Sequence, residues 1–288
     1  MNPKLSIITI CYNDLSGLKE TIPSVLSQSV RDFEWIIVDG ASTDGSIEYI
    51  NETTSNQMSQ DTQMKILWKS EPDNGIYNAM NKGVRMATGD YCLFLNAGDV
   101  FCSKRSLERA FKRCWHGEVI SCDEFVMSNK KFWDYIQAPR KLTFHRILTG
   151  YLPHQTTFIK RTLLNEFPYR EEYRIVADWA FWWEALVASD HRYQHFDFPL
   201  AAFDCTGVSS TNYDKNYAER EKFLSNYINN KHLLTKISNE CLMSGTIEGD
   251  YLFNSERSVL NRICLFIRRV YVHIYQPLHK VYANIRWR

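Results

Sequence analysis

Four short apolar runs punctuate the first hundred residues: LSIITIC at 5–11, FEWIIVD at 33–39, MKILWKS at 64–70 and YCLFL at 91–95. Between them apolar residues recur at helical spacing, first Leu18, Ile22, Val25 and Leu26, then Ile47 and Ile50, then Ile76, Met80, Val84 and Ala87. The run at 5–11 is unbroken and β-branched, as a strand covered on both faces must be. Strands alternating with helices imply right-handed crossovers, and hence a parallel sheet with helices on both faces.

Ligands of such sheets bind outside the carboxyl ends of the strands. Standing there are Tyr12-Asn13-Asp14, Asp39, Glu71 and Asp73, and finally Asn96 and Asp99. Neither G-x-G-x-x-G nor G-x-x-x-x-G-K-[ST] occurs, which argues against a dinucleotide fingerprint and a P-loop. Converging carboxylates would repel a nucleotide diphosphate unless a hard cation bound by oxygen, Mg²⁺ or Mn²⁺, stood between them.

Beyond Asp99 the pattern loosens. Residues 104–115 read as a helix and EVISCDEFVM at 118–127 as a strand. An apolar helix over 174–189 carries Asp178 near its start, and 191–204 reads as a strand or strand pair. Residues 214–237 read as a polar helix leading to the tail.

The quoted runs LSIITICYN, WIIVDGASTDGS, DNGIYNAMNKGVRMATGDYCLFLNAGD and VADWAFWW resemble the family 2 glycosyltransferases of the GT-A fold. The likeness is greatest to the bacterial branch that builds colanic acid, O-antigen and other surface polysaccharides. It implies an α/β fold with a Rossmann-like, mostly parallel central sheet. A glycosyltransferase domain would cover residues 1–213, with a nucleotide-sugar half at 1–100 and an acceptor half at 101–213, followed by a helical appendage at 214–288. It also implies transfer of a sugar from a nucleotide-diphosphate donor to an acceptor hydroxyl, usually with inversion and a divalent cation.

Carried over by the resemblance, Tyr12 lies against the nucleobase, Asp39 binds its polar edge, and Asp73 faces the donor. Asn96-Ala97-Gly98-Asp99 falls at the family's metal motif, where Asp often stands at the positions of Asn96 and Gly98. Asp99 is therefore the one carboxylate ligand, with water and the donor's phosphates completing the shell. Asp178 matches the catalytic base, and its neighbours Trp179, Phe181 and Trp182 lead us to expect a desolvated carboxylate of raised pKa. His154 falls where the branch often carries a His-Gln pair, near diphosphate or acceptor.

Plainer roles compete. Asp14, Ser42, Thr43 and Asp44 read first as helix caps, and Asp178 could also cap its helix. Tyr12 could pack at a strand end, Asp99 could form a turn, and His154 could be structural. The cluster of Trp179, Trp182 and Trp183 reads as core, with one ring a candidate platform for a sugar. Rival functions are a catalytically inactive scaffold or membrane-bound partner and a sugar-1-phosphate nucleotidyltransferase; the latter's glycine- and arginine-rich phosphate loop is absent.

Of the 34 basic residues seven lie within 257–288, which has no acid; the remaining 27 face 33 acidic residues, a net of −6 against +7 for the tail. The tail mixes Leu260, Ile263, Phe266, Ile267, Val270 and Ile274 with these cations, and Pro277 should split it into two helices. It reads as an interfacial anchor on an anionic membrane, as suits a lipid-linked acceptor, or else as an oligomer-forming or core-packing helix pair. Nucleic acid is disfavoured by the acidity of the rest. Eight scattered cysteines without a C-x-x-C pair fit reduced thiols, and with neither a signal-peptide pattern nor a long apolar window the expected location is the cytoplasm, peripheral on the inner face of the plasma membrane.

Overall fold

The computed structural model describes residues 3–60, 64–128, 131–142, 146–147, 152–187, 189, 191–204, 215–216, 218–220 and 222–223. The chain divides into two units, residues 1–142 with 146–220, and residues 143–145 with 221–288. The nine strands and six α-helices of the described residues lie in the first unit. The expected anchor at 257–288 lies outside the described residues, as does most of the polar helix expected at 214–237.

The first half alternates as its periodicity predicts: β1 (Leu5–Cys11), α1 (Leu15–Leu26), β2 (Phe33–Asp39), α2 (Ser46–Gln60), β3 (Lys65–Ser70), α3 (Ile76–Met86) and β4 (Tyr91–Phe94). These strands pair in parallel in the order β3-β2-β1-β4. Every residue of β1 and β2 is buried. Leu5, Ile7, Phe33, Trp35 and Ile37 pack with Leu18, Ile22 and Val25 of α1 in one core. On the other face α3 approaches so closely that a Cβ on Gly83 would stand 2.4 Å from Ile8 Cγ2. Burying one such aliphatic side chain contributes roughly 1.5–3 kcal/mol, so two covered faces account for the unbroken apolar runs.

The apolar run of β2 also hides a charge. Glu34 is fully buried and accepts from Ser6 Oγ at 2.7 Å and Lys65 Nζ at 2.6 Å. Burial pushes its pKa up, but hydrogen bonds from Lys65, Thr88 and Ser6 outweigh that and hold it below the usual value.

After β4 the sheet turns mixed. The remaining elements are β5 (Val100–Phe101), α4 (Ser106–Phe111), β6 (Val119–Ser128), β7 (Lys131–Ile136), β8 (Thr157–Lys160), α5 (Arg161–Glu166), α6 (Ala177–Trp182) and β9 (Tyr193–Asp204). β8 runs antiparallel to both β4 and β6, while β9 runs parallel to β6 and antiparallel to β5. The register between β6 and β9 shifts around Asp123, which pairs with Pro199. A proline lacking its N–H is accommodated at such an irregularity. The helix expected over 174–189 is realised as α6 running into a π-helical turn at Trp183–Val187. Among the described residues no helix is long and apolar enough to cross a membrane. Cys11, Cys92 and Cys122 are buried free thiols, whereas Cys114 is exposed.

Candidate functional site

Two groups of side chains meet at the carboxyl ends of the parallel strands. The first is built on the loops after β1, β2 and β3. Asp39, the last residue of β2, is fully buried and accepts from Ser42 N at 2.9 Å, Ser42 Oγ at 2.5 Å and Ser70 Oγ at 2.7 Å. A carboxylate has about four lone-pair sites, so one stays open. Ser42 Oγ in turn accepts from Asn13 N at 2.8 Å, and Asn13 Oδ1 accepts from Thr43 N at 2.8 Å, which zips the first two loops together. Asn13 and Ala41 both adopt positive φ, 48° and 65°. Non-glycine residues held there cluster at ligand sites, because the surrounding structure must enforce the strain.

Of the expected caps, Asp14 accepts from Gly17 N at the start of α1, and Asp44 receives Leu15 N and Ser46 N. Ser42 and Thr43 do otherwise: they serve Asp39 and Asn13, because the loop doubles back on its neighbour rather than entering α2 directly. Tyr12, 66% exposed, stands on the rim. A Cβ on Gly40 would lie 2.6 Å from Asp73 Oδ2 and 3.1 Å from the Tyr12 ring, so Asp73 and Tyr12 close directly over the bare Cα of Gly40, a contact that any larger residue would push apart. Glu71 is instead drawn away, paired with Lys69 and Lys82.

The second group follows from the strand reversal. Because β8 runs against β4, the start of β8 lies at the end of β4, and the 3-10 turn His154–Thr156 that precedes β8 stands beside Asn96. His154 Nε2 is 3.1 Å from Asn96 Nδ2, and His154 Nδ1 is 3.4 Å from Asp178 Oδ2. Asp178 Oδ1 accepts from Trp179 N at 2.8 Å and from Tyr77 Oη at 3.0 Å. Asp99 Oδ2 accepts from Asn96 N at 3.0 Å, and Thr21 Oγ1 bonds to the carbonyls of both residues. Thus Asn96, Asp99, His154 and Asp178 form one connected group. Asp178 does not cap α6; Val176 is the N-cap.

The electrostatics reverse one expectation. Burial pushes the Asp178 pKa up, but the His154 hydrogen bond and charge, with the Trp179 amide and Tyr77 hydroxyl, outweigh it and the net shift is downward. The neighbouring indoles face away into the core, and about a fifth of the Asp178 side chain is exposed at 21%. Burial lowers the His154 pKa, yet Asp178 and Asp99 together raise it. The raised carboxylates are Asp99, pushed up by burial to about 7, and Glu124, pushed up by burial and by Asp99 to about 8. Glu124 on β6 is fully buried and receives a short hydrogen bond from Gln155 Nε2. Sequence reasoning passed over it because an acid inside a strand carries no local signal.

The three tryptophans are all core. Trp179, Trp182 and Trp183 are at most 2% exposed, so none offers a ring to a sugar. Two of the indole donors are satisfied inside, Trp179 Nε1 on Ile147 O and Trp182 Nε1 on Leu152 O.

Among the described residues no three His, Cys, Asp or Glu side chains gather as a metal site. The oxygen donors at the β4 exit are Asp99 and Asn96 Oδ1, a buried atom with no hydrogen-bond partner. An unsatisfied buried oxygen beside a carboxylate fits a hard cation that takes its other ligands from phosphate and water.

Residues 6–171 match the family model for glycosyl transferase family 2. An uncharacterized glycosyltransferase of Mycobacterium tuberculosis is 32% identical over 213 residues, covering 72% of this chain and 78% of that protein. A PGL/p-HBAD biosynthesis glycosyltransferase of Mycobacterium bovis is 31% identical over 228 residues, covering 76% and 84%. Among solved structures, residues 1–349 of Staphylococcus aureus TarS in complex with UDP-GlcNAc superpose with a TM-score of 0.63 at 19% identity, covering 85% of this chain and 73% of that one. The mannosyltransferase PcManGT of Pyrobaculum calidifontis, in complex with GDP-Man and Mn²⁺, gives 0.57 at 14% identity, covering 98% and 85%.

Proposed function

This chain belongs to glycosyltransferase family 2, and from that premise we propose that it moves a sugar, with inversion, from a nucleotide-diphosphate donor to an acceptor hydroxyl. The observation that carries the reading is the continuity of the second group: a half-buried carboxylate, Asp178, is linked through His154 to the Asn96 and Asp99 turn. Proteins of the same fold were solved with UDP-GlcNAc and with GDP-Man, which supports a nucleotide-sugar donor here.

Tyr12 covers the nucleobase with its exposed ring, and Asp39 offers its open lone pair to the polar edge. Asp73, packed over Gly40 beside Tyr12, faces the donor. Asp99, with Asn96 Oδ1 beside it, would hold Mn²⁺ or Mg²⁺. When bound, that cation supplies electrostatic stabilisation of the departing diphosphate. Asp178 is ionised at neutral pH because its folded pKa is lowered, and it takes the proton from the acceptor hydroxyl as that oxygen attacks. His154 and Tyr77 fix the orientation of the carboxylate, so the abstracting oxygen is held before the acceptor arrives.

The acceptor is a lipid-linked glycan in polysaccharide synthesis of the colanic acid or O-antigen type, and residues 257–288 bring the enzyme to an anionic cytoplasmic membrane surface. The catalytic domain occupies residues 1–213 and the appendage 214–288. Two measurements test this. Release of free nucleotide from a panel of UDP-, GDP- and dTDP-sugars with Mn²⁺ and a lipid acceptor should single out one donor; no release from any of them would favour an inactive scaffold. Deleting residues 257–288 should abolish binding to anionic vesicles, and unchanged binding would remove the anchor.

A further inference from the structure

We propose that Glu219 is a positioning residue for the Asp178 carboxylate, an inference that rests on reading Asp178 as the base. Glu219 lies beyond the stretch 6–171 that matches the family model. The sequence there suggested no more than a polar helix leading to the tail. In the structure its carboxylate gathers three successive amides just before α6: Arg174 N at 2.9 Å on Oε1, then Ile175 N at 2.9 Å and Val176 N at 3.2 Å on Oε2.

Those amides belong to a segment that touches both groups of the site. Ile175 is held at both ends, since its carbonyl accepts from Tyr77 Oη at 2.7 Å, the hydroxyl that also reaches Asp178 Oδ1. One phenolic proton serves both acceptors, so a displacement of Ile175 must be felt at Asp178. Arg174 sends its guanidinium to the Asn74 carbonyl, directly beside the Asp73 loop. A Cβ on Gly75 would stand 2.6 Å from Arg174 Nη1, so this contact uses a place only glycine leaves open. The preceding turn is pinned as well, because Glu171 accepts from Asn78 Nδ2 at 2.7 Å and from Asn81 Nδ2 at 2.9 Å on α3.

The segment 171–178 is therefore fastened to α3 on one side and to Glu219 on the other. Charge-assisted hydrogen bonds to backbone amides are the stronger kind, and three on one carboxylate fix the local backbone. The fixed backbone delivers Asp178 at the distance His154 and Tyr77 require. A misplacement of about 1 Å can cost on the order of a hundredfold in rate, which is the lever Glu219 holds.

The test uses the full-length chain carrying Glu219→Gln, which turns one acceptor oxygen into a donor facing an N–H, and Glu219→Ala. Turnover should fall roughly tenfold or more, with the donor KM within about twofold of the original. In an Asp178→Asn background the same changes should have almost no further effect on turnover, since there is no base left to position. An equal loss in both backgrounds would overturn the proposal, as would unchanged turnover. The readout that needs no activity is backbone NMR of Glu219→Gln. The amides of Arg174, Ile175 and Val176 should exchange faster and the Trp179 amide, bonded to Asp178, should shift; if all four stay as they were, Glu219 does not set this segment. Absence of transfer by the unmodified enzyme would instead count against the glycosyltransferase reading, and the NMR arm separates the two failures.

Discussion

His154 Nδ1 lies 3.4 Å from Asp178 Oδ2, so the imidazole holds a carboxylate that burial alone would leave protonated at higher pH. Replacing His154 by Gln removes the chief opposing charge. The Asp178 pKa should then rise, and the acidic limb of the turnover profile should move to higher pH. An unmoved acidic limb, measured with saturating donor, would detach His154 from the base. Asp178→Asn should lower turnover by about 10²–10⁴-fold while donor binding, followed by calorimetry, is preserved.

Asp99→Asn should weaken Mn²⁺-dependent donor binding, because the β4 exit then has no carboxylate. The hydrogen bond to Asn96 N can be kept by the amide oxygen, so the fold should survive. Titration of Mn²⁺ in the presence of the nucleotide checks this; identical curves would remove Asp99 from the cation site.

Glu124 predicts a pH dependence of stability. Its folded pKa, about 8, stands above the ordinary carboxylate value of 4.5, so the folded state holds a proton that the unfolded chain gives up. The stabilisation is complete below about pH 4.5 and is lost as pH rises toward 8. At about 1.4 kcal/mol for each pH unit per proton, the loss is on the order of a few kcal/mol. Denaturant unfolding of Glu124→Gln between pH 5 and pH 9, in chelator, should show a flatter profile than the unmodified protein. Parallel profiles would refute the raised pKa.

Gly40→Ala places a methyl between Tyr12 and Asp73. Both neighbours are ends of side chains that can swing aside, so thermal stability should change little. Pushed off Gly40, Tyr12 and Asp73 should no longer be set to meet the donor, raising the donor KM by about tenfold or more at similar turnover. A donor KM left as it was would show that these two side chains do not meet the donor.

The parallel half was legible because its signals are local. Continuous apolar runs placed β1 to β4 within a residue, helical spacing marked α1 to α3 between them, and the turns after the strands supplied Tyr12, Asp39, Asp73, Asn96 and Asp99. β5, with two residues, and β8, with four, are too short to carry a period, and they pair with partners far along the chain. The direction of the Asp178 shift depends on an imidazole 24 positions away, which no window around the tryptophans contains. Glu124 and Glu34 were hidden for the same reason, since the groups that satisfy a buried acid are brought to it only by the sheet.

The bond from Tyr77 to Asp178 joins residues 101 positions apart, and Glu219, 44 positions after Ile175, closes the segment from the other side. During synthesis the half that carries β1 to β4 emerges first and can pair its four strands while the remainder is still on the ribosome. A nascent chain at that stage carries the turns with Tyr12, Asp39, Asp73, Asn96 and Asp99 but not yet Asp178. On the reading of Asp178 as the base, its segment is fastened only after Glu219 has been made, so that carboxylate is the last of these side chains to be set in place as the chain grows.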